Sequence, residues 1–332
     1  MKNRKNLIAT AVAVCVVLTL IAFSIAAGAD FSGEQAATLR ILLIVCGCSV
    51  AWCFVAGEIT HNYSQMDKLW SILPVAYVWI IAARGGMSAR LILYAVIVTA
   101  WGIRLTYNFA LKGAYSIRFW EGKEDYRWSI VRQSPVFRRG FAWTLFDLFF
   151  ISLYQNLLVL AITLPALVCS GSGAPLGAFD IAGAIFALAF LALETAADLY
   201  QWRFHKTKKK MLDEGKPLSA LPMPYCLGFN TTGPWGYMRH PNYLGEQGFW
   251  LSLYFFVPGA GAASNGIFNI TLVGPLLLVL LFMGSSALGE KISSGKYPEY
   301  SRYVEQVFKS LPLRKLRTEA GLENDEAEPE SV

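Results

Sequence analysis

The sequence predicts an all-α, polytopic membrane helical bundle of about eight spans, seven if the first is a cleaved signal, with N- and C-termini cytoplasmic. Three observations carry that expectation. Composition is the first: of 332 residues, 55% are hydrophobic, 14% aromatic and only 16% charged, which is too apolar for a soluble domain of this length. The second is segmentation. Apolar stretches near 7–27, 38–57, 69–83, 88–110, 141–168, 176–198, 244–261 and 267–288 each approach the roughly 20 residues that cross a hydrocarbon core. The third is where the charge falls, since the net +6 is unevenly spread. Segment 112–140 carries Lys112, Arg118, Lys123, Arg127, Arg132, Arg138 and Arg139, and 199–243 carries Arg203, Lys206, Lys208, Lys209, Lys210, Lys216 and Arg239. By contrast, 169–178 and 259–266 have no charge. An inside N-terminus puts both basic segments in the cytoplasm, with Arg40, Arg84 and Arg90 as exceptions.

Taken in order, residues 1–29 form a first transmembrane helix or a signal segment. Lys2, Arg4 and Lys5 precede the apolar run, and Ala27-Gly-Ala29 matches a cleavage pattern. The run is longer than a usual signal core, which favours a retained helix. Residues 30–312 make up the transmembrane domain. Within it the 112–140 segment, with Trp120, Tyr126 and Trp128, reads as folded at the interface rather than as a plain linker. Residues 313–332 are a charged tail of disordered character, acidic after Arg317 with Glu319, Glu323, Asp325, Glu326, Glu328 and Glu330. His61, His205 and His240 are scattered, and Cys15, Cys46, Cys48, Cys53, Cys169 and Cys226 follow no metal-like spacing, so no metal site is expected. The expected surroundings are a lipid bilayer and a hydrophobic small molecule, not nucleic acid. The location is an integral, multi-pass one, in a bacterial inner membrane or, in a eukaryote, the endoplasmic reticulum.

The candidate chemistry gathers on the cytoplasmic half. Gly236-Tyr-Met-Arg-His-Pro-Asn-Tyr-Leu-Gly-Glu-Gln247 packs Arg239, His240, Asn242, Tyr243 and Glu246 into the start of an apolar helix. Pro241 suits the first turn, where its missing N–H goes unused, and the helix N-terminus offers N–H groups and positive dipole charge for a phosphate. A capped, water-facing helix start is the plainer alternative. Glu194, Asp198, Gln201 and His205 form a continuous helical stripe, facing either a ligand or a neighbouring helix. Asp147 and Gln155, eight residues apart, sit deep on one face of the fifth span, in a site or as a structural polar pair. Arg104 and Tyr107 close the fourth span as site residues or interface anchors. Asp67 precedes the third span, with Tyr63 close by, and serves as a site residue, a helix cap or a partner for Lys68. The dinucleotide Gly-x-Gly-x-x-Gly fingerprint is absent, so no Rossmann domain is implied.

The Arg239-His-Pro-Asn-Tyr-Leu-Gly-Glu246 run resembles the C-terminal signature of membrane steroid 5-alpha-reductases and their bacterial relatives, many known only as a domain of unknown function. Isoprenylcysteine carboxyl methyltransferases and phospholipid methyltransferases carry a similar Arg-His-Pro-x-Tyr-x-Gly. The resemblance extends from about His61 to Pro312, through Asn62-Tyr-Ser-Gln-Met-Asp-Lys-Leu-Trp-Ser71, Trp101-Gly-Ile-Arg-Leu105, Glu124-Asp-Tyr-Arg127, Glu194-Thr-Ala-Ala-Asp198 and Tyr297-Pro-Glu-Tyr300. It implies a helical bundle enclosing NADPH, which reduces a carbon–carbon double bond conjugated to a ketone in a steroid or other lipid-like molecule. On that likeness Asp67 polarises the ketone, and Tyr63 or Tyr107 takes the place of the family's tyrosine, since counting back from Arg104 lands on Trp101. Arg104, Glu194, Asp198, His205, Arg239, His240, Asn242, Tyr243 and Glu246 would line the nucleotide; the family usually has Asn where Glu194 stands. The alternative implied by the shared motif is an S-adenosylmethionine-dependent methyltransferase acting on a lipid or prenylated substrate.

Overall fold

Ser32 opens the second helix with a reciprocal cap: Gln35 N–H donates to Ser32 Oγ at 3.3 Å, and Ser32 N–H donates to Gln35 Oε1 at 2.9 Å. A computed structural model describes residues 2–137, 140–310 and 316, with side chains from residue 10 onward. Arg138, Arg139 and the acidic tail, apart from Leu316, lie outside the described residues. Among those described, every regular element is helical and no strand forms. The elements are α1 Lys2–Ala27, α2 Gly33–Thr60, α3 Gln65–Leu69, α4 Leu73–Arg84, α5 Ala89–Leu111 and α6 Tyr126–Arg132. There follow α7 Gly140–Phe146, a π-helical stretch Asp147–Tyr154, α8 Gln155–Ala161, α9 Leu164–Cys169 and α10 Ala178–Asp213. Last come α11 Pro241–Leu253, α12 Phe256–Gly259, α13 Val273–Lys296 and α14 Tyr300–Gln306.

Among the described residues, six helical segments are long and apolar enough to cross a bilayer: Thr10–Ala27, Gly33–Thr60, Ala89–Leu111, Gly140–Cys169, Ala178–Asp213 and Ile270–Lys296. They make this a multi-pass membrane protein. The other two apolar segments form shorter helices: α4 has 12 residues, and 244–261 is divided between α11 and α12. The sixth apolar segment, whose polar stripe already extends the expected helix to His205, runs on to Asp213 as one helix of 36 residues. No Gly or Pro falls between Asp198 and Gly215, and Gln, Arg, Lys, Met and Leu are good helix formers.

The chain divides into two compact units, residues 1–187 with 250–280, and residues 188–249 with 281–332. In the first, α4 and α5 pack closely because Gly102 has no side chain: a Cβ there would stand 2.5 Å from Val75 Cγ2 and 2.7 Å from Ser71 O. Trp101 and Trp250 meet edge-on at 5.0 Å, both fully buried. Two of the three arginines that depart from the charge bias are paired with acids. Arg84 meets Glu34 at 3.1 Å. Arg90, buried, forks onto Asp180 at 2.7 and 3.0 Å and also donates to the carbonyls of Ala174, Pro175 and Gly259. A charge neutralised and fully hydrogen-bonded in this way ties loops together rather than reporting sidedness.

The second unit has its own small core of Leu227, Phe229, Tyr300, Tyr303, Val307 and Leu316. Lys208, buried on α10, donates to Gly228 O at 2.5 Å and lies over the rings of Phe204 and Tyr297. Trp235 Nε1 donates to Ala197 O at 2.9 Å, which fixes the 233–240 segment to α10. Where α10 and α11 cross, a Cβ on Gly245 would lie 2.6 Å from Glu194 Cβ, so only glycine allows that approach.

Candidate functional site

In the first unit, α2 ends at His61, whose left-handed backbone (φ 55°) turns the chain into the 62–71 segment. There Asn62, Gln65 and Lys68 recur at one-turn spacing and each donates to carbonyls of the 119–122 loop. Asn62 Nδ2 reaches Gly122 O at 3.0 Å, Gln65 Nε2 reaches Trp120 O at 2.9 Å, and Lys68 Nζ reaches Phe119 O at 2.9 Å and Glu121 O at 2.6 Å. Glu124 Oε1 accepts from Tyr63 N–H at 2.8 Å, and Ser64 Oγ accepts from Asp125 N–H at 2.9 Å. The long basic segment is thus a folded element over this stretch. Lys68 is fully buried, and burial holds its ammonium below the usual range, opposed by the charge of Asp67.

Asp67 is half-buried on α3, with Trp128 Nε1 donating to its Oδ2 at 3.0 Å. Burial pushes its carboxyl above the ordinary range and the neighbouring Asp125 adds to this, against the pull of Arg127 and hydrogen bonds from Ser64 and Trp128. Asp125 goes the other way. Burial opposes its charge, but Arg127 outweighs burial with a two-pronged contact at 2.9 Å on each oxygen. The pair therefore divides into a carboxyl biased toward its protonated form and an ionised partner. Of the candidate tyrosines, Tyr63 is buried beside Trp143, rings edge-on at 5.0 Å, while Tyr107 is 61% exposed. Arg104 is half-buried on α5. Tyr115 escaped the sequence reading. Its hydroxyl donates to Lys68 O at 2.9 Å, next to Asp67, and lies 3.3 Å from Ser71 Oγ.

In the second unit, α10 carries Glu194 and Asp198, both buried, and exposed His205, whose Nε2 is 3.0 Å from Gln201 Nε2. Asn242, at the start of α11, donates through Nδ2 to Asp198 Oδ1 at 3.2 Å, and Glu246 is buried one turn on. The structure thus brings Asp198 and Asn242 together, and Gly245 sets Glu194 against the same turn of α11. Arg239 and His240 do something else. Arg239 Nε and His240 Nε2 each lie 2.8 Å from Glu290 Oε1 on α13, and Arg239 Nη1 donates to Val304 O and Val307 O. Their backbone N–H groups donate to Phe308 O and Lys309 O at 3.0 Å. Burial holds the His240 imidazole below its usual range, with Glu290 opposing and Arg239 and Lys309 assisting. Tyr243 stacks on His240 at 5.2 Å and meets Phe282 at 4.7 Å. Glu290, which lies just past the last apolar stretch, was not singled out from sequence. Only its partners had a motif.

Among the described residues no group of three or more His, Cys, Asp or Glu is placed to hold a metal ion. The family model described as "Protein of unknown function (DUF1295)" matches residues 53–307, which include both clusters. The chain belongs to this family. It is also similar to a Schizosaccharomyces pombe protein described as uncharacterized, with 37% identity over 263 residues, covering 76% of this chain and 73% of that protein. No solved structure matches it. Family membership carries no activity by itself, so chemistry has to come from the side chains.

Proposed function

We propose that the protein is a membrane oxidoreductase that uses NADPH to reduce a carbon–carbon double bond conjugated to a ketone in a steroid or other lipid-like substrate. In this proposal the chain crosses the membrane about eight times with both termini in the cytoplasm, and the basic 112–140 and 199–243 segments face the cytosolic nucleotide pool. The observation that carries the chemistry is Asp67. A carboxyl donates a hydrogen bond only when protonated, and burial beside ionised Asp125 biases Asp67 that way. A donor of this kind stabilises the negative charge that builds on a ketone oxygen when its conjugated double bond is reduced. A methyl transfer needs no such acid, which favours reduction over the methyltransferase alternative.

The donor set of the second unit fits a nucleotide in part. Asp198 and Asn242 offer an acceptor and a donor suited to ribose hydroxyls or an amide, and the start of α11 suits a phosphate. Arg239 and His240 are engaged by Glu290, so they support the binding turn rather than holding phosphate. Phosphate charge falls instead to the exposed Arg203, Lys206, Lys209 and Lys210 on the end of α10. NADPH supplies hydride when bound; Asp67 orients and polarises the acceptor.

The test is direct: NADPH and S-adenosylmethionine are titrated against the purified full-length protein in detergent, followed by NADPH oxidation across a panel of lipid enones. NADPH binding weakened in Asp198→Asn and Asn242→Ala, together with an accepted enone, supports the proposal. Binding of S-adenosylmethionine alone replaces it with the methyltransferase.

A further inference from the structure

The interior of the first unit holds a polar seam that none of these roles uses. Ser49, Cys53 and Gly57 recur at one-turn spacing on α2, with Glu58 next in line near its end. Facing them are Asn156 on α8 and Ser152 and Asp147 in the π-helical stretch. Asn156 Nδ2 is 3.7 Å from Cys53 Sγ, and a Cβ on Gly57 would stand 3.4 Å from Asp147 Oδ2, so the two stripes meet along their length. Thr144 donates to Glu58 Oε2 and Ser152 to Asp147 Oδ1, both at 3.4 Å. Three acceptor oxygens in this region are buried with no hydrogen-bond partner in the protein: Glu58 Oε1, Asp147 Oδ2 and Asn156 Oδ1. Asp147 is 1% exposed and Asn156 0%.

Buried polar atoms in folded proteins are almost always paired, and internal water completes the set where side chains do not. Here all three are acceptors: two carboxylate oxygens and an amide oxygen. The π-helical widening, a feature that recurs at functional sites, occurs where Asp147 stands. Charge is also unbalanced. The titratable and charged groups around the seam are Cys53 on α2, Tyr63 and Glu124 beyond its end, and Arg132, which lies 5.2 Å over the Tyr63 ring and 5.5 Å over that of Trp143. Asp67 also acts on this region, so one guanidinium stands against the carboxyl groups of Glu58, Asp147, Glu124 and Asp67. Among the described residues no further acid, His or Cys completes a metal-holding group there.

We propose that Glu58 and Asp147 form a hydrated proton-binding site inside the first unit, one proton and a few internal waters being held between the two carboxyl groups. Two carboxylates so placed among apolar helices stay together only with a positive charge between them. A proton supplies that charge, and water donates to the Asn156 amide oxygen that no side chain pairs. The site is independent of whichever cofactor the second unit takes.

The experiment is infrared spectroscopy of the full-length protein in nanodiscs at neutral pH, in H2O and in D2O. The expected result is a deuterium-sensitive carbonyl band of a protonated carboxyl that is lost or reduced in Asp147→Asn and in Glu58→Gln and persists in Asp67→Asn, the control for the other biased acid. Absence of any such band in the wild type overturns the proposal whether or not the variants fold. A band unchanged in both variants overturns it as well. Thermal melting in sodium against potassium chloride forms the second arm: a sodium-specific rise in Tm that disappears in Asp147→Asn would assign the site to an inorganic cation instead.

Discussion

In the second unit, Arg239 and His240 converge on one carboxylate, Glu290, and Arg239 goes on to hold two carbonyls at the end of α14. In the first unit, Asp67 receives one indole N–H from Trp128 and sits beside an acid whose charge is already matched by Arg127. Both are motif residues at the start of apolar helices, and sequence assigns both to a ligand. Their surroundings differ. A polar group whose donors are consumed inside the protein is architecture, while one biased away from its ordinary protonation state by burial and a like charge is poised for chemistry. The contrast can be broken from either side.

The largest effect should come from Glu290→Ala. It leaves the buried Arg239 guanidinium and the His240 imidazole without their shared acceptor, and removing one partner of a buried pair costs about 3–5 kcal/mol. Melting of the detergent-solubilised protein should fall sharply, with early proteolysis near residues 300–310. Arg239→Ala should behave alike, since it releases Val304 and Val307 as well. If both variants melt like wild type yet lose nucleotide binding, Arg239 belongs to the ligand after all and the contrast collapses.

Asp67→Ala should do the reverse: retain NADPH binding and near-normal melting while turnover of an accepted enone falls on the order of a hundredfold, the usual cost of a lost oxyanion donor. Asp67→Asn, whose amide still donates, should fall between the two. Turnover of the Ala variant within a few-fold of wild type would return Asp67 to a capping role.

A third substitution probes the platform beneath Asp67. Lys68→Met keeps the volume but deprives Phe119 O and Glu121 O of a buried donor, at about 1–3 kcal/mol for groups left unsatisfied. Cleavage within 113–125 by added protease should accelerate, and turnover should drop only as far as Asp67 loses its setting. Equal cleavage rates in the two proteins would mean that the 62–71 stitch does not hold this loop.

The sequence made the all-α class legible because apolar length alone decides it, and it located the acids because carboxylates near apolar helices stand out. What it concealed has a common cause. Glu290 has no local pattern, and its role exists only because α13 brings it to Arg239, far away in sequence. The donations of Asn62, Gln65 and Lys68 go to backbone carbonyls, which any sequence supplies, so nothing marked that loop as their target. The π-helical stretch at Asp147 breaks the helical spacing by which Asp147 and Gln155 had been set on one face. The continuation of α10 was readable in retrospect, because the stripe through Gln201 and His205 already assumed it.

The smallest effect, and the one closest to the proposed chemistry, is a titration. Trp128 Nε1 donates to Asp67 Oδ2, so the indole N–H resonance of Trp128 reports on the charge of that carboxyl. Its midpoint should lie above the ordinary aspartate value of about 3.9, and the transition should vanish in Asp67→Asn. The sign for stability follows: a carboxyl raised in the folded state contributes stability that is present below its unfolded value and is lost as pH rises through its folded value. Relative to Asp67→Asn, the wild type should therefore lose Tm as pH rises across that window. Asp125, shifted downward, contributes in the opposite direction, with stability present above the unfolded value and lost as pH falls through its own folded value. Asp125→Asn separates the two, for it removes the like charge and leaves Arg127 unmatched, so the Trp128 midpoint should move down. Turnover should follow the Trp128 curve and decline as Asp67 ionises, because a carboxylate accepts and cannot donate. A midpoint at or below the ordinary value would leave Asp67 ionised throughout the working range, as architectural as Glu290.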